Sequence, residues 1–153
     1  MYQLKYQYVI CSASFVRKCK ERITFVYMEK KIIKTNNAPA PIGPYNQAIQ
    51  TGNMLFVSGQ VALDAQTGEL VKGDIQTETH KVMANLKAIL QEAGMDFSNV
   101  VKTSIFLMDM GQFAQVNEVY AQYFTDNYPA RETVQVSGLP RGVNVEISMI
   151  AVK

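Results

Sequence analysis

Asp74-Ile75-Gln76-Thr77-Glu78-Thr79-His80-Lys81-Val82-Met83-Ala84-Asn85-Leu86-Lys87-Ala88-Ile89-Leu90-Gln91-Glu92-Ala93-Gly94 decides the fold, together with the run from Asn99 to Met108 that follows it. Val82, Leu86, Ile89, Leu90 and Ala93 recur at helical spacing, Asp74 is suited to cap the N-terminus, and Gly94 suits the end. The run Asn99 to Met108 is rich in β-branched residues and reads as a strand. A helix with one apolar stripe must bury it against another layer, and the strands around it offer a sheet.

Upstream, the loop Asn36 to Pro44 is rich in Asn, Ala and Pro. After it, Tyr45 to Gln50 and Met54 to Leu63 flank Thr51-Gly52-Asn53 and read as a β-hairpin, with a second turn at Asp64 to Gly68. Downstream, Phe113, Val116, Tyr120, Tyr123 and Phe124 recur at helical intervals until Pro129 stops the pattern. Thr133 to Val136 and Val143 to Val152 read as closing strands around the turn-prone segment Gly138-Leu139-Pro140-Arg141-Gly142. Val145, Ile147, Met149 and Ala151 alternate against polar neighbours in the last strand. The expected order is strands, helix, strand, helix, strands, an α+β arrangement. Two helices cover only one face of such a sheet, so the other face must meet water or another subunit, and a closed oligomer satisfies it.

Composition bounds the function. The chain has 153 residues, 48% hydrophobic and 18% charged, which fits one ordinary globular core. No apolar run approaches the roughly 18 residues of a membrane-spanning helix, so no membrane partner is expected. The net charge of +2 is uneven: Lys5, Arg17, Lys18, Lys20 and Arg22 crowd the first 27 residues against Glu21. Residues 28–153 carry 10 Lys and Arg against 12 Asp and Glu, and so lack a general basic field for nucleic acid. Both cysteines, Cys11 and Cys19, lie in the early segment, which fits a reducing, cytoplasmic location.

The division is therefore a leader, 1–27, and a domain, 28–153, that begins with Met28-Glu29-Lys30-Lys31. The leader's apolar run from Val9 to Val16 is short and lacks a clear cleavage site, and its few Ser and Arg are not those of a transit peptide. It reads as an upstream extension without fixed structure. The competing reading makes Ile23-Thr24-Phe25-Val26-Tyr27 an added edge strand.

The domain lacks a phosphate loop, a dinucleotide-binding turn and a nucleophile elbow. His80, the single histidine, falls in the charged opening of the first helix and reads as an exposed helical residue rather than a base or metal ligand. Arg131, in Pro129-Ala130-Arg131-Glu132-Thr133, presents a planar fork that matches the two oxygens of a small carboxylate, and an arginine tied to nearby carbonyls or to Glu132 fits equally well. Glu146 interrupts the last strand and is placed to hold or deprotonate a water; period two puts it on the polar face, where a solvated side chain is the alternative. Tyr45 and Ser58 combine hydroxyls with glycines, including Gly59, that permit close approach of a ligand, and either also suits a turn. Ser58 has no partnered histidine and so reads as an orienting group, not a nucleophile. Asn117 reads as a structural helix residue ahead of a binding one.

Taken in order, Ala38-Pro39-Ala40-Pro41-Ile42-Gly43-Pro44-Tyr45, Val57-Ser58-Gly59-Gln60, Pro129-Ala130-Arg131 and Val145-Glu146-Ile147 resemble the RidA (YjgF) family, as do Asn85 to Leu90 and Phe113 to Asn117. The resemblance runs from Met28 to Lys153 and leaves residues 1–27 unaccounted for. It implies an α+β, chorismate-mutase-like protomer: a six-stranded, mostly antiparallel sheet with two helices on one face. It also implies a homotrimer whose sheets form a central barrel with three clefts between subunits. The implied reaction is hydrolysis of 2-iminobutanoate or 2-iminopropanoate to the 2-keto acid and ammonia, without a cofactor or metal. Arg131 then corresponds to the carboxylate-binding arginine and Glu146 to the residue that positions water, while Tyr45, Ser58, Gly59 and Asn117 line the pocket. Thr133 stands where many relatives have cysteine, which removes thiol chemistry there and leaves a backbone group or pocket wall. Two other readings compete: a ligand-responsive regulatory or chaperone-like module using the same cleft, and a ribonuclease, which the acidic domain opposes.

Overall fold

The structure is a computed structural model that describes residues 29–71 and 73–153. The leader, its edge-strand alternative and Met28 lie outside the described residues. Six strands, β1 (Lys30–Ile33), β2 (Ala48–Thr51), β3 (Met54–Gln60), β4 (Val100–Leu107), β5 (Ala130–Gln135) and β6 (Val145–Val152), form one sheet in the order β1-β2-β3-β6-β4-β5. Helix α1 (Ile75–Glu92) links β3 to β4, and α2 (Phe113–Ala121) links β4 to β5. Every neighbouring pair is antiparallel except β4 and β5, which run parallel. A parallel pair needs a crossover connection, and α2 supplies it. The α+β reading, the six strands and the two helices on one face all hold.

The signals that define α1 work as read. The Asp74 carboxylate accepts a hydrogen bond from the Thr77 amide at 2.8 Å, and Gly94 closes the helix with a φ of +65° that a side chain would resist. Val82, Leu86, Ile89 and Leu90 are fully buried against the inward residues of the central strands, including Val145, Ile147 and Leu107. Each such side chain contributes about 1.5–3 kcal/mol by leaving water.

The hairpin is shorter than expected, since β2 begins at Ala48 and leaves Tyr45 in the loop, and β3 ends at Gln60 rather than Leu63. Three further elements also differ. The segment Lys30–Ile33 is a strand paired with Ala48–Thr51, although its two lysines gave no alternation to read. Lysines suit an edge strand because their solvated charges discourage further pairing. The second helix stops at Ala121, so Tyr123 and Phe124 pack from the turn beyond it; the Phe124 ring lies 4.7 Å from that of Tyr120 and 5.4 Å from that of Phe97. Strand β5 begins at Ala130, three residues before Thr133, because Pro129 ends the loop and not the extended region. This places Arg131 inside the strand.

The face away from the helices is uncovered. Ile32, Ile49, Phe56 and Ile150 stand side by side across β1, β2, β3 and β6, and Ile32 and Phe56 are 57% and 41% exposed. Together they form a contiguous apolar row on that face. No described helix is long and apolar enough to cross a membrane.

Candidate active site in two halves

The sheet pleat sorts the candidate residues. In β6, Val145, Ile147 and Met149 turn inward, so Glu146 points to the uncovered face, where it pairs with Phe106 of β4. Next to it, the β3–β6 register shifts between Val57 and Gln60, and Ser58 and Gly59 occupy that irregularity. Gly59 is required there: a Cβ would stand 1.8 Å from Oε1 of Glu146. The carboxylate thus lies directly over the backbone of Gly59. Glu146 is half-buried, and desolvation pushes its carboxyl above the ordinary value of 4.5, with no described partner cation to oppose the shift.

Glu146 opens on a cavity of about 660 Å³ that Tyr45, Ser58, Gly59 and Arg141 also line. The Ser58 hydroxyl donates to the Asn46 carbonyl at 2.7 Å, which leaves its oxygen free to accept from a ligand. Tyr45 is exposed, with its hydroxyl 3.4 Å from the amide of Ile42. The loop carrying it is fixed by Gln47, a buried side chain. Its Nε2 donates to the carbonyls of Thr35, Ala38 and Pro39, and its Oε1 accepts from the Thr35 amide at 2.8 Å. Sequence reading passed over Gln47, because only the fold reveals a buried amide. Arg141 was read only as a turn residue; it takes a left-handed φ of 59°, which costs a side-chain-bearing residue about 1–2 kcal/mol.

Arg131 lies elsewhere. It pairs with Thr103, whose side chain is buried on the helix side, so Arg131 points to the helix layer. Its Nη1 donates to Oδ1 of Asn117 on α2 at 2.8 Å, and its guanidinium lies 4.9 Å from the Tyr120 ring centre and 5.7 Å from that of Phe113. These contacts fix the fork between two rings, and such cation–π contacts contribute about 0.5–2 kcal/mol. The alternative partner, Glu132, is engaged instead by Lys102 and Ser104 on the other face. Asn117 is therefore the residue that orients Arg131. Tyr120, in turn, donates to Oγ1 of Thr103 at 3.2 Å, and burial raises its phenol. A cavity of about 400 Å³ is lined by Asn117, Tyr120, Tyr128, Pro129 and Arg131. Thr133 shares the helix-side face of β5 with Arg131, and its buried Oγ1 has no hydrogen-bond partner.

The predicted residues thus form two clusters. Tyr45, Ser58, Gly59 and Glu146 come together, Arg131 and Asn117 come together with Thr133 on the same strand face, and the sheet separates the two sets. His80 joins neither: it is exposed on α1, with Nδ1 3.0 Å from the Tyr123 hydroxyl. Among the described residues no group of three or more His, Cys, Asp or Glu side chains could hold a metal ion.

Comparison with known proteins places the chain in a family. The family described as Endoribonuclease L-PSP matches residues 35–153. A RutC family protein of Pyrococcus horikoshii is 53% identical over 124 residues, which cover 81% of this chain and 98% of that protein. The mouse 2-iminobutanoate/2-iminopropanoate deaminase is 50% identical over 124 residues, covering 81% of this chain and 92% of the mouse protein. Among solved structures, E. coli TdcF with bound serine superposes with a TM-score of 0.77 at 43% identity, covering 80% of this chain and 98% of that one. These matches span nearly the whole described domain, and the chain belongs to the RidA (YjgF) family.

Proposed function

We propose that the protein is a cytoplasmic imine deaminase that hydrolyses 2-iminobutanoate and 2-iminopropanoate to 2-keto acids and ammonia. One observation carries the reading: an arginine fork held ready for a carboxylate and a glutamate above a glycine lie on opposite faces of one sheet. A small imino acid needs both groups within a few ångströms. A single copy does not offer them together, so the complete cleft takes Arg131 and Asn117 from one subunit and Tyr45, Ser58, Gly59 and Glu146 from another. The apolar row from Ile32 to Ile150 supports such packing, and three copies close the ring. The naming of the mouse relative supports the substrate, and the serine in TdcF supports a ligand of amino-acid size.

Arg131 pairs with the substrate carboxylate, which fixes C2 relative to Glu146. The Glu146 carboxylate takes a proton from a water as its oxygen bonds to C2, and the C=N π electrons move to nitrogen. Glu146 returns that proton to nitrogen, giving the carbinolamine. The hydroxyl proton then passes through Glu146 to nitrogen as the C–N bond breaks, so ammonia leaves and the oxygen becomes the keto oxygen. Burial of Glu146 supports this role, since a raised pKa makes a better base. Ser58 and Gly59 orient the substrate, and Thr133 forms wall near Arg131. No cofactor takes part.

The test is coupled turnover. A threonine dehydratase generates 2-iminobutanoate, semicarbazide traps it, and the protein should divert it to 2-ketobutanoate. A folded protein that diverts none, yet binds a small carboxylate tightly, would assign the cleft to ligand sensing instead.

A further inference from the structure

Arg141 is the one described basic residue lining the Glu146 cavity, and nothing in the proposed chemistry uses it. Its setting is built rather than incidental. Pro140 precedes it, and Gly142 follows at a φ of +71°, so two successive left-handed residues turn the chain over the cavity mouth. The turn is pinned from behind: Glu78 of α1 accepts from the Asn144 amide at 3.0 Å and from Asn144 Nδ2 at 2.6 Å. A long side chain held in a left-handed conformation is an outlier that glycine would relieve, which points to a use for the side chain. That side chain is exposed, and its charge is free among the described residues. Ion pairs there join Lys81 to Asp64 and Lys102 to Glu132, while Arg141 makes only a 3.4 Å contact to the Gly68 carbonyl.

The substrate class makes such a cation useful. A 2-imino acid is an anion and decays in water, so the rate at which it is captured decides how much is processed. It approaches a domain with more acidic than basic residues, and a cavity whose own Glu146 repels carboxylates. Resting on the deaminase reading above, we propose that Arg141 is the capture residue of the cleft, a cation at its mouth that draws the anionic substrate over Glu146 before Arg131 takes the carboxylate.

The experiment measures kcat and kcat/KM for 2-iminobutanoate across ionic strength, using the full chain and Arg141→Gln, Arg141→Lys and Arg141→Gly. For Arg141→Gln, kcat/KM should fall about 5–10-fold at low salt with the loss in KM, and the deficit should shrink towards twofold at high salt as screening removes the attraction. Arg141→Lys should retain most of the capture, and Arg141→Gly, though it relieves the backbone, should resemble Arg141→Gln. A deficit that is independent of salt, that falls on kcat, or that Arg141→Lys shares in full would overturn the role of Arg141 alone. A wild-type chain without turnover would overturn the deaminase reading and this proposal together.

Discussion

Arg131 and Glu146 lie on strands that flank the same neighbour, β4, yet point to opposite faces of the sheet: Arg131 pairs with the inward Thr103 and Glu146 with the outward Phe106. The residues that a carboxylate-anchored hydrolysis needs together are thus kept apart by a layer of backbone within one copy. Under the proposed function, assembly completes the site, and activity then depends on the oligomer.

Arg131→Ala should reduce kcat/KM for 2-iminobutanoate by about 100-fold or more, because a charge-assisted two-point contact is lost. The side chain also bridges Phe113 and Tyr120, so a stability loss of about 1 kcal/mol should accompany it. Denaturant unfolding separates the two effects. Full activity in this variant would remove Arg131 from the carboxylate site.

Glu146 must be ionised to accept a proton from water. Activity should therefore fall as pH drops through its folded-state pKa, which burial sets above 4.5, and a pH profile should place this acid limb above the ordinary glutamate range. Stability has the opposite sign. A raised carboxyl pKa means that the folded state binds more protons, so the glutamate's contribution is present below the unfolded pKa and lost as pH rises through the folded one. Glu146→Gln should consequently raise the melting midpoint near pH 8, and by less near pH 4, while abolishing turnover.

Gly59→Ala puts a methyl group 1.8 Å from Oε1 of Glu146 and 2.7 Å from its carboxyl carbon. The glutamate must swing away, and turnover should drop at least tenfold even if the protein stays folded, since a misplacement of about 1 Å carries a cost of this order. Kinetics alongside a melting curve would check it; unchanged kinetics would show that Glu146 tolerates displacement.

Much of this was legible in the chain. Asp74 and Gly94 bracket α1 because capping is a local matter, and the alternation Val145, Ile147, Met149 sends Glu146 outward before any register is known. What local pattern could not convey is pairing. Lys30 and Lys31 concealed β1, since an edge strand need not alternate, and Pro129 hid the start of β5. The parallel β4–β5 pairing, which turns Arg131 towards Asn117, joins residues 28 positions apart, as in Thr103 opposite Arg131. Arg141 looked like a turn residue because its left-handed backbone and its cavity exist only in the fold. Asn117 leaned towards a structural reading, and the structure ties it to Arg131 by a hydrogen bond that no local pattern announces.

The most direct measurement of the account is subunit complementation. Arg131→Ala and Glu146→Gln chains, each inactive alone, are unfolded together in equal amounts, refolded, and assayed for hydrolysis of 2-iminobutanoate. If each cleft takes Arg131 from one subunit and Glu146 from its neighbour, random mixing into trimers restores about a quarter of the wild-type clefts, and activity should recover to about that level. Mixed oligomers no more active than either variant alone would contradict a cleft shared between subunits.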